Sequence, residues 1–409
     1  MISDTHFGAW TGEDILREPE NLALLEPWLD VDEVIFLGDM FDLLFGAMPE
    51  SLAAARGLLS LLRDRLQGRR FVFLAGNHDH HFVARETETR IGLEVATGSA
   101  DEALGPEMRR IDIIREILER QLEGVEVDIR YPTYTFAGVL CAHGHQLDLH
   151  AHRTGGRGNR LLTRALWAIA VGGEERVPTF QDYEASLSLL TGLLFTIAQL
   201  PNGTHAQRRV FTGFQALGRA MRLGTAPVRA LEQVESWTSG LLPASSSNGA
   251  SDSVARQGAY EAAREQERQR QRRTGAPAGA EASSYALGRA VRPGDPHEMA
   301  ITAFETAVIN LGWARDTDKI VFAHTHQPFD DLTGPSGTIR YWNTGSWIYE
   351  PDLRSRAAYR DYLANAWPGT AVLIDSDEAA PRLIRMREHL NPLHISAGTA
   401  SPGPGRHAP

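Results

Sequence analysis

Phe71-Val72-Phe73-Leu74-Ala75-Gly76-Asn77-His78-Asp79 is the stretch on which the reading of this chain turns. A short apolar run rich in β-formers predicts a buried strand. It ends at Gly76, a residue that accepts tight turns other side chains resist. Just beyond stand an amide, an imidazole and a carboxylate, groups that ligate metal ions or move protons. The unit recurs. Val34-Ile35-Phe36-Leu37 runs into Gly38-Asp39-Met40-Phe41-Asp42, and Val139-Leu140-Cys141-Ala142 runs into His143-Gly144-His145. Ile320-Val321-Phe322-Ala323 runs into His324-Thr325-His326, and the chain opens on Met1-Ile2-Ser3 followed by Asp4-Thr5-His6. Asp, Asn and His are thereby delivered to one edge of a sheet, where α/β folds place their sites.

Working outward, residues 19–30 and 50–67 carry leucines at helical spacing, so the first third reads β-α-β-α-β, a mainly parallel sheet. A helix is expected over 107–123. Short strands over 125–129, 134–136 and 139–142 have no helices between them, which predicts an antiparallel portion or a second sheet. Further on, a helix over 298–311 precedes the strand into His324, with more strands over 338–342, 370–374 and 382–387. Only three residues precede Asp4, against about 5–6 in an ordinary strand. The first strand is therefore clipped, or translation begins upstream; the upstream start is the favoured expectation.

Between His145 and the helix over 298–311 the pattern breaks for far longer than a normal connection. Helical patterns over 161–171, 183–200, 207–221 and 228–237 predict a helical cap inserted at 150–242. Residues 243–295 read as a low-complexity linker, within which 255–273 is a solvated helix or disorder. The basic run 268–273 is weighed between a solvated face and a contact with nucleic acid or anionic lipid. Residues 185–200 carry no charge, but Pro201-Asn202-Gly203 ends the run short of the about 20 residues a bilayer needs. A buried helix is expected there, with a helix lying on a membrane surface as the alternative. Residues 391–409 form a Gly/Pro/Ala tail expected to be disordered.

Composition narrows the classes. The 409 residues are 42% hydrophobic and 23% charged, ordinary globular values. A net charge of -11 argues against a nucleic-acid coat protein. The single cysteine, Cys141, precludes an intramolecular disulfide and fits a reducing compartment. With no signal peptide or membrane span visible, the expected location is cytoplasmic, with peripheral membrane contact as the alternative. Mixed Asp, Asn and His donors suit Mn²⁺, Fe²⁺, Zn²⁺ or Co²⁺ better than Ca²⁺, and a structural zinc site would want more thiolates.

In order and spacing, Asp-x-His, Gly-Asp-x-x-Asp, Gly-Asn-His-Asp, a His after a strand and a final His-x-His resemble the calcineurin-like metallophosphoesterases. The likeness covers residues 1–149 and 296–390 and leaves out the cap. Ala323 stands where Gly is commoner. The resemblance implies a four-layer α-β-β-α sandwich carrying two divalent ions, Mn favoured. Asp4, His6, Asp39 and His326 would hold the first ion. Asp39, Asn77, His143 and His324 would hold the second, Asp39 bridging both. A metal-bridging hydroxide would attack the phosphate ester. His78 would stabilise phosphoryl charge or protonate the leaving group, with Asp42 or Asp79 orienting it or a ligand histidine; the choice between them stays open. His145 is open between a substrate contact and a structural role, and His80 and His81 are not expected as ligands. The substrate would be a phosphorylated small molecule. The alternatives are a lipid-linked nucleotide cleaved at its pyrophosphate, as by UDP-2,3-diacylglucosamine hydrolases, a nuclease, and a non-catalytic scaffold.

Overall fold

The apolar runs alternate, and the alternation builds two sheets face to face. The computed structural model describes residues 1–9, 11–84, 87, 113–153, 167–168, 171–172, 176–201, 203, 250–274, 296–353, 355–375 and 380–394. Three parallel strands, β1 (Glu33–Leu37), β2 (Arg70–Leu74) and β3 (Glu126–Arg130), form one sheet in that order. Ile2 adds a parallel bridge to Phe36 at the outer edge of β1. The second sheet uses β4 (Thr133–Phe136), β5 (Val139–Ala142), β6 (Lys319–Phe322), β7 (Phe329–Thr333) and β8 (Arg340–Asn343), in the order β4-β5-β6-β8-β7. Its centre is parallel, and β4 and β7 are antiparallel rims. An antiparallel pair, β9 (Thr370–Leu373) and β10 (Arg382–Arg385), completes the strands.

Side chains one residue apart on a strand face opposite ways. Ile35, Leu37, Val72 and Leu74 of the first sheet share a core with Val139, Cys141, Val321, Ala323 and Trp342 of the second. Their neighbours Val34, Phe36, Phe71 and Phe73 face outward onto helices α1 (Pro19–Leu25), α3 (Arg56–Arg65) and α4 (Ile113–Gln121) through Leu25, Leu58, Leu59, Leu62, Ile114 and Leu118. On the far side Leu140, Ala142, Ile320 and Phe322 face α7 (Pro296–Leu311) through Ile301, Phe304 and Val308. The order is helix, sheet, sheet, helix: the four-layer α/β sandwich expected.

Several boundaries differ from the sequence reading for local reasons. The helix expected over 19–30 stops at Leu25 and continues as a 3-10 turn, Glu26–Trp28, because Pro27 offers no N–H to the helical ladder. The single helix over 50–67 is two, α2 (Met48–Ala54) and α3, with Ala55 between them. β7 went unread because Asp330 and Asp331 dilute it; it is a rim strand with a bulge, recruited by pairing with β8. Helix α8 (Arg356–Asn365) was also unread.

The insertion supplies two described helices. Helix α5 (Phe180–Ala198) holds most of the uncharged run, after a first turn that carries Asp182 and Glu184. Its start is fixed by a capping box between Thr179 and Asp182. Helix α6 (Ala250–Thr274) lies inside the stretch read as linker, and it is neither free nor fully solvated. Tyr260 and Ala263 pack on Tyr359, Tyr362, Leu363 and Trp367. One face further along, Arg270 is ion-paired to Glu13 at 3.1 Å and donates to the Thr11 carbonyl at 2.6 Å. The helices expected over 207–221 and 228–237, most of 161–171, the second half of the linker and most of the tail lie outside the described residues. No helix among the described residues is long and apolar enough to cross a membrane.

Candidate metal centre

The strand-end turns converge on Asp39. Its Oδ2 lies 3.3 Å from His143 Nε2 and 3.7 Å from His6 Nε2, so one carboxylate faces both sides of the site. Its Oδ1 accepts the His78 backbone N–H at 2.8 Å. The neighbouring turn makes room for this: a Cβ on Gly76 would sit 2.1 Å from Asp39 Oδ1, and one on Gly38 2.5 Å from His143 Nδ1. Backbone conformation marks the same positions. Asp4, His6, Asp39, His324 and His326 all have positive φ, between 47° and 68°. Non-glycine residues adopt that region at a cost of about 1–3 kcal/mol each, and such strain clusters at functional sites.

On one side Asp4, His6 and His326 bring a ring nitrogen or carboxylate oxygen each within 4.8 Å of one another; on the other, Asp39, His143 and His324 do the same. Asn77 stands at the second group, its Oδ1 3.0 Å from His143 Nε2. A further group, His6, Asp42 and His78, also meets that distance, but its carboxylate is occupied otherwise. Asp42 Oδ2 lies 3.3 Å from His6 Nδ1, and Asp42 Oδ1 lies 3.0 Å from His78 Nδ1. Asp42 thus orients both rings, which settles the choice left open. Asp79 instead accepts backbone N–H groups from Gly76 (2.6 Å), Met40 (2.9 Å) and Phe41 (3.4 Å), tying the β1 and β2 turns together.

The donor set fits cations by its lone pairs. His143 Nδ1 lies 2.7 Å from the Leu37 carbonyl, an acceptor only, so Nδ1 carries the proton. In the neutral ring Nε2 then turns a lone pair toward the oxygens of Asp39 and Asn77. His6 Nδ1 is held by Asp42 and His326 Nδ1 sits 3.5 Å from Glu350 Oε2, so their Nε2 atoms face Asp4 and Asp39 the same way. His324 Nε2 lies 3.2 Å from Asp148 Oδ1, which turns its Nδ1 onto His143 Nε2 at 3.3 Å. Acceptors facing acceptors need a proton or a metal cation between them. Asp148 and Glu350 were missed from sequence; their only signal is nearness in the chain to motif residues.

Electrostatics says the same. Burial opposes charge on His143, but Asp39 outweighs it and its pKa rises to about 9. His6 and His326 are raised against the same burial by Asp4, Asp42 and Glu350. Asp4, Asp39 and Asp42 are also buried, yet the surrounding histidines hold all three below the usual carboxylate range. Burial and the adjacent Asp39 push Asp79 up to about 7. His145 falls well below its ordinary value through burial and the nearby His143 and His324.

The remaining sequence-singled histidines touch the insertion. His80 Nε2 lies 2.9 Å from Glu184 Oε2, and the His81 ring stacks on Phe195 with centroids 3.5 Å apart. Leu194 and Phe195 of α5 also meet Ala9, Leu44 and Phe45, and Phe45 lies beside His78. Helix α5 therefore borders the site.

A layered α/β sandwich with buried His and Asp groups at its strand ends is compatible with metal-dependent phosphoester hydrolysis. Residues 1–179 match the family described as Calcineurin-like phosphoesterase, which supports the metallophosphoesterase superfamily. A comparison with curated proteins finds no match.

Proposed function

We propose that the centre holds two divalent ions and hydrolyses a phosphate ester of a small molecule. The family implies metal-dependent phosphoester hydrolysis, and the buried His and Asp groups suit divalent metals. The observation that carries the two-ion reading is the pairing of lone-pair nitrogens with carboxylate and amide oxygens on both sides of Asp39. Asp4, His6, Asp39 and His326 would hold one ion; Asp39, Asn77, His143 and His324 the other. When bound, the ions supply an activated water and neutralise phosphoryl charge. His78 is held through Nδ1 by Asp42, which leaves Nε2 to hydrogen-bond a phosphoryl or leaving-group oxygen. The N/O donor set suits Mn²⁺, Fe²⁺, Zn²⁺ or Co²⁺, and Mn²⁺ is the one we propose.

A second reading, a pyrophosphohydrolase acting on a lipid-linked nucleotide, is favoured by one observation. Leu193 and Leu200 are 60% and 50% exposed at the end of the insertion that borders the site. The deciding experiment is turnover of a generic diester, a monoester, a nucleotide pyrophosphate and a lipid-linked nucleotide with added Mn²⁺, alongside metal analysis. Wild-type protein binding two ions, with Asp39→Asn binding fewer and losing activity, is the expected result. Two ions retained by Asp39→Asn would sink the bridging role; no turnover of any ester by metal-loaded protein would sink the proposed reaction.

A further inference from the structure

One imidazole at the centre is turned the opposite way from the rest. His6, His143 and His326 are held at Nδ1 and present Nε2 to the site. His324 is held at Nε2, 3.2 Å from Asp148 Oδ1, and presents Nδ1. A carboxylate only accepts, so the proton of the neutral His324 ring rests on Nε2 and Nδ1 keeps its lone pair. That lone pair faces His143 Nε2 at 3.3 Å. Among the described residues no other side chain hydrogen-bonds His324 Nε2. Without Asp148, a half-turn of the ring about Cβ–Cγ would put Cδ2 where Nδ1 stands and remove a donor from the His143 side.

The backbone under Asp148 is well anchored. It belongs to the 3-10 segment His145–Arg153. On one side of Asp148, Leu147 packs with Ile301 and Phe304 of α7; on the other, Leu149 packs with Ala307 of α7 and Tyr183 of α5. The Tyr183 hydroxyl lies 2.7 Å from His150 Nε2 and accepts from the Asn310 amide at 3.2 Å. A sandwich helix and a helix of the insertion therefore hold this segment between them. The Asp148 side chain is 22% exposed, whereas that of His324 is 4%. The carboxylate thus keeps contact with water and holds a buried ring without the desolvation cost of a fully buried charge.

We propose that Asp148 is a positioning residue for the second ion: it fixes His324 as the Nε2–H tautomer and keeps Nδ1 aimed at the space shared with His143, Asp39 and Asn77. The affinity of that side of the centre then depends on a residue outside the strand-end turns, while the Asp4–His6–His326 side does not need it. The proposal rests on the two-ion reading given above.

The test uses full-length protein with Asp148→Ala, which removes the acceptor, and Asp148→Asn, which keeps one acceptor oxygen. Histidine-selective ¹⁵N spectra of the metal-free protein read the His324 tautomer, with His324→Gln assigning the signals. Calorimetric titration with Mn²⁺ reads the two ions separately. The wild type should show one His324 tautomer, Nε2–H, and Asp148→Ala a mixture. Asp148→Ala should bind one ion about 10- to 100-fold more weakly and the other within about twofold of wild type, with Asp148→Asn between the two proteins. Hydrolysis of bis(p-nitrophenyl) phosphate that Asp148→Ala loses at low Mn²⁺ should return at saturating Mn²⁺. An unchanged His324 tautomer in Asp148→Ala overturns the proposal, and so does equal weakening of both ions, because Asp148 would then support the fold as a whole. If the wild type turns over no ester, the proposed reaction fails while the spectra and the titration still decide the role of Asp148.

Discussion

Asp42 is a single residue with two tasks, since each of its oxygens holds the Nδ1 side of a different ring. Asparagine keeps one acceptor oxygen and turns the other into a donor. Asp42→Asn should therefore leave metal bound but lower kcat by about 10- to 100-fold, measured as kcat beside metal stoichiometry. Loss of metal together with rate would instead make Asp42 part of the ligand set. Protonation gives a second prediction, for the metal-free protein. His143 is raised from 6.5 to about 9 on folding, so its stabilising contribution is complete below pH 6.5 and lost as pH rises through 9. Asp79, raised from 3.8 to about 7, loses its contribution as pH rises through 7. Asp4, Asp39 and Asp42 are lowered, so theirs is lost only as pH falls below the ordinary carboxylate range. The thermal midpoint of metal-free protein should fall between pH 6.5 and 9. Because bound metal needs deprotonated ligands, added Mn²⁺ should stabilise more at pH 9 than at pH 6.5. Scanning calorimetry at both values, with and without Mn²⁺, measures the two trends.

At the scale of elements, each strand contributes an apolar face and a polar end, and the turns between must interlock. The β1 and β2 ends approach so closely that Gly76 has no space for a methyl group against Asp39. Gly76→Ala should displace the Asp39 carboxylate. The expected cost is about 1–3 kcal/mol in stability by urea unfolding, together with weakened binding of both ions by titration calorimetry. Normal affinity in a folded variant would show that the two turns can separate without disturbing the site. Helix α5 acts at this scale too, because His80, His81 and Phe45 meet it directly.

For the molecule as a whole, the insertion is built into the sandwich rather than laid over it. Helix α6 closes one side through Tyr260 and Ala263, and through the Arg270–Glu13 pair, 13% and 5% exposed in their side chains. Removing one partner of a buried pair costs about 3–5 kcal/mol, because the other charge stays behind. Arg270→Ala should lower unfolding stability by that order, read from a denaturant midpoint; a change under about 1 kcal/mol would show the pair to be effectively solvated. Replacing residues 155–290 by a short linker should consequently destabilise the protein as well as alter selectivity between a small ester and a lipid-linked one. The ratio of kcat/KM for the two substrates reads the second effect, and the thermal midpoint the first.

Strands, their alternation and the residues at their ends could be read from the chain because a strand's period of two and its closing turn are local properties. Val34 to Asp42 and Phe71 to Asp79 carry both in nine residues each. The α-β-β-α layering followed from the order of such units. What local pattern could not carry was which group faces which. Asp42 and Asp79 look alike in sequence; only the fold sets one between two imidazoles and the other among backbone N–H groups. Asp148, Glu350 and Glu184 reach the site from a 3-10 turn, a loop and an inserted helix, with no spacing to announce them. Helix α6 was read as a solvated helix or disorder because its interleaved charges hide the face that docks: Arg270, which pairs with Glu13, looks like any solvated arginine. A hydrophobic stripe can be seen in one segment alone, whereas an ion pair becomes visible only when both partners, here 257 residues apart, are in place.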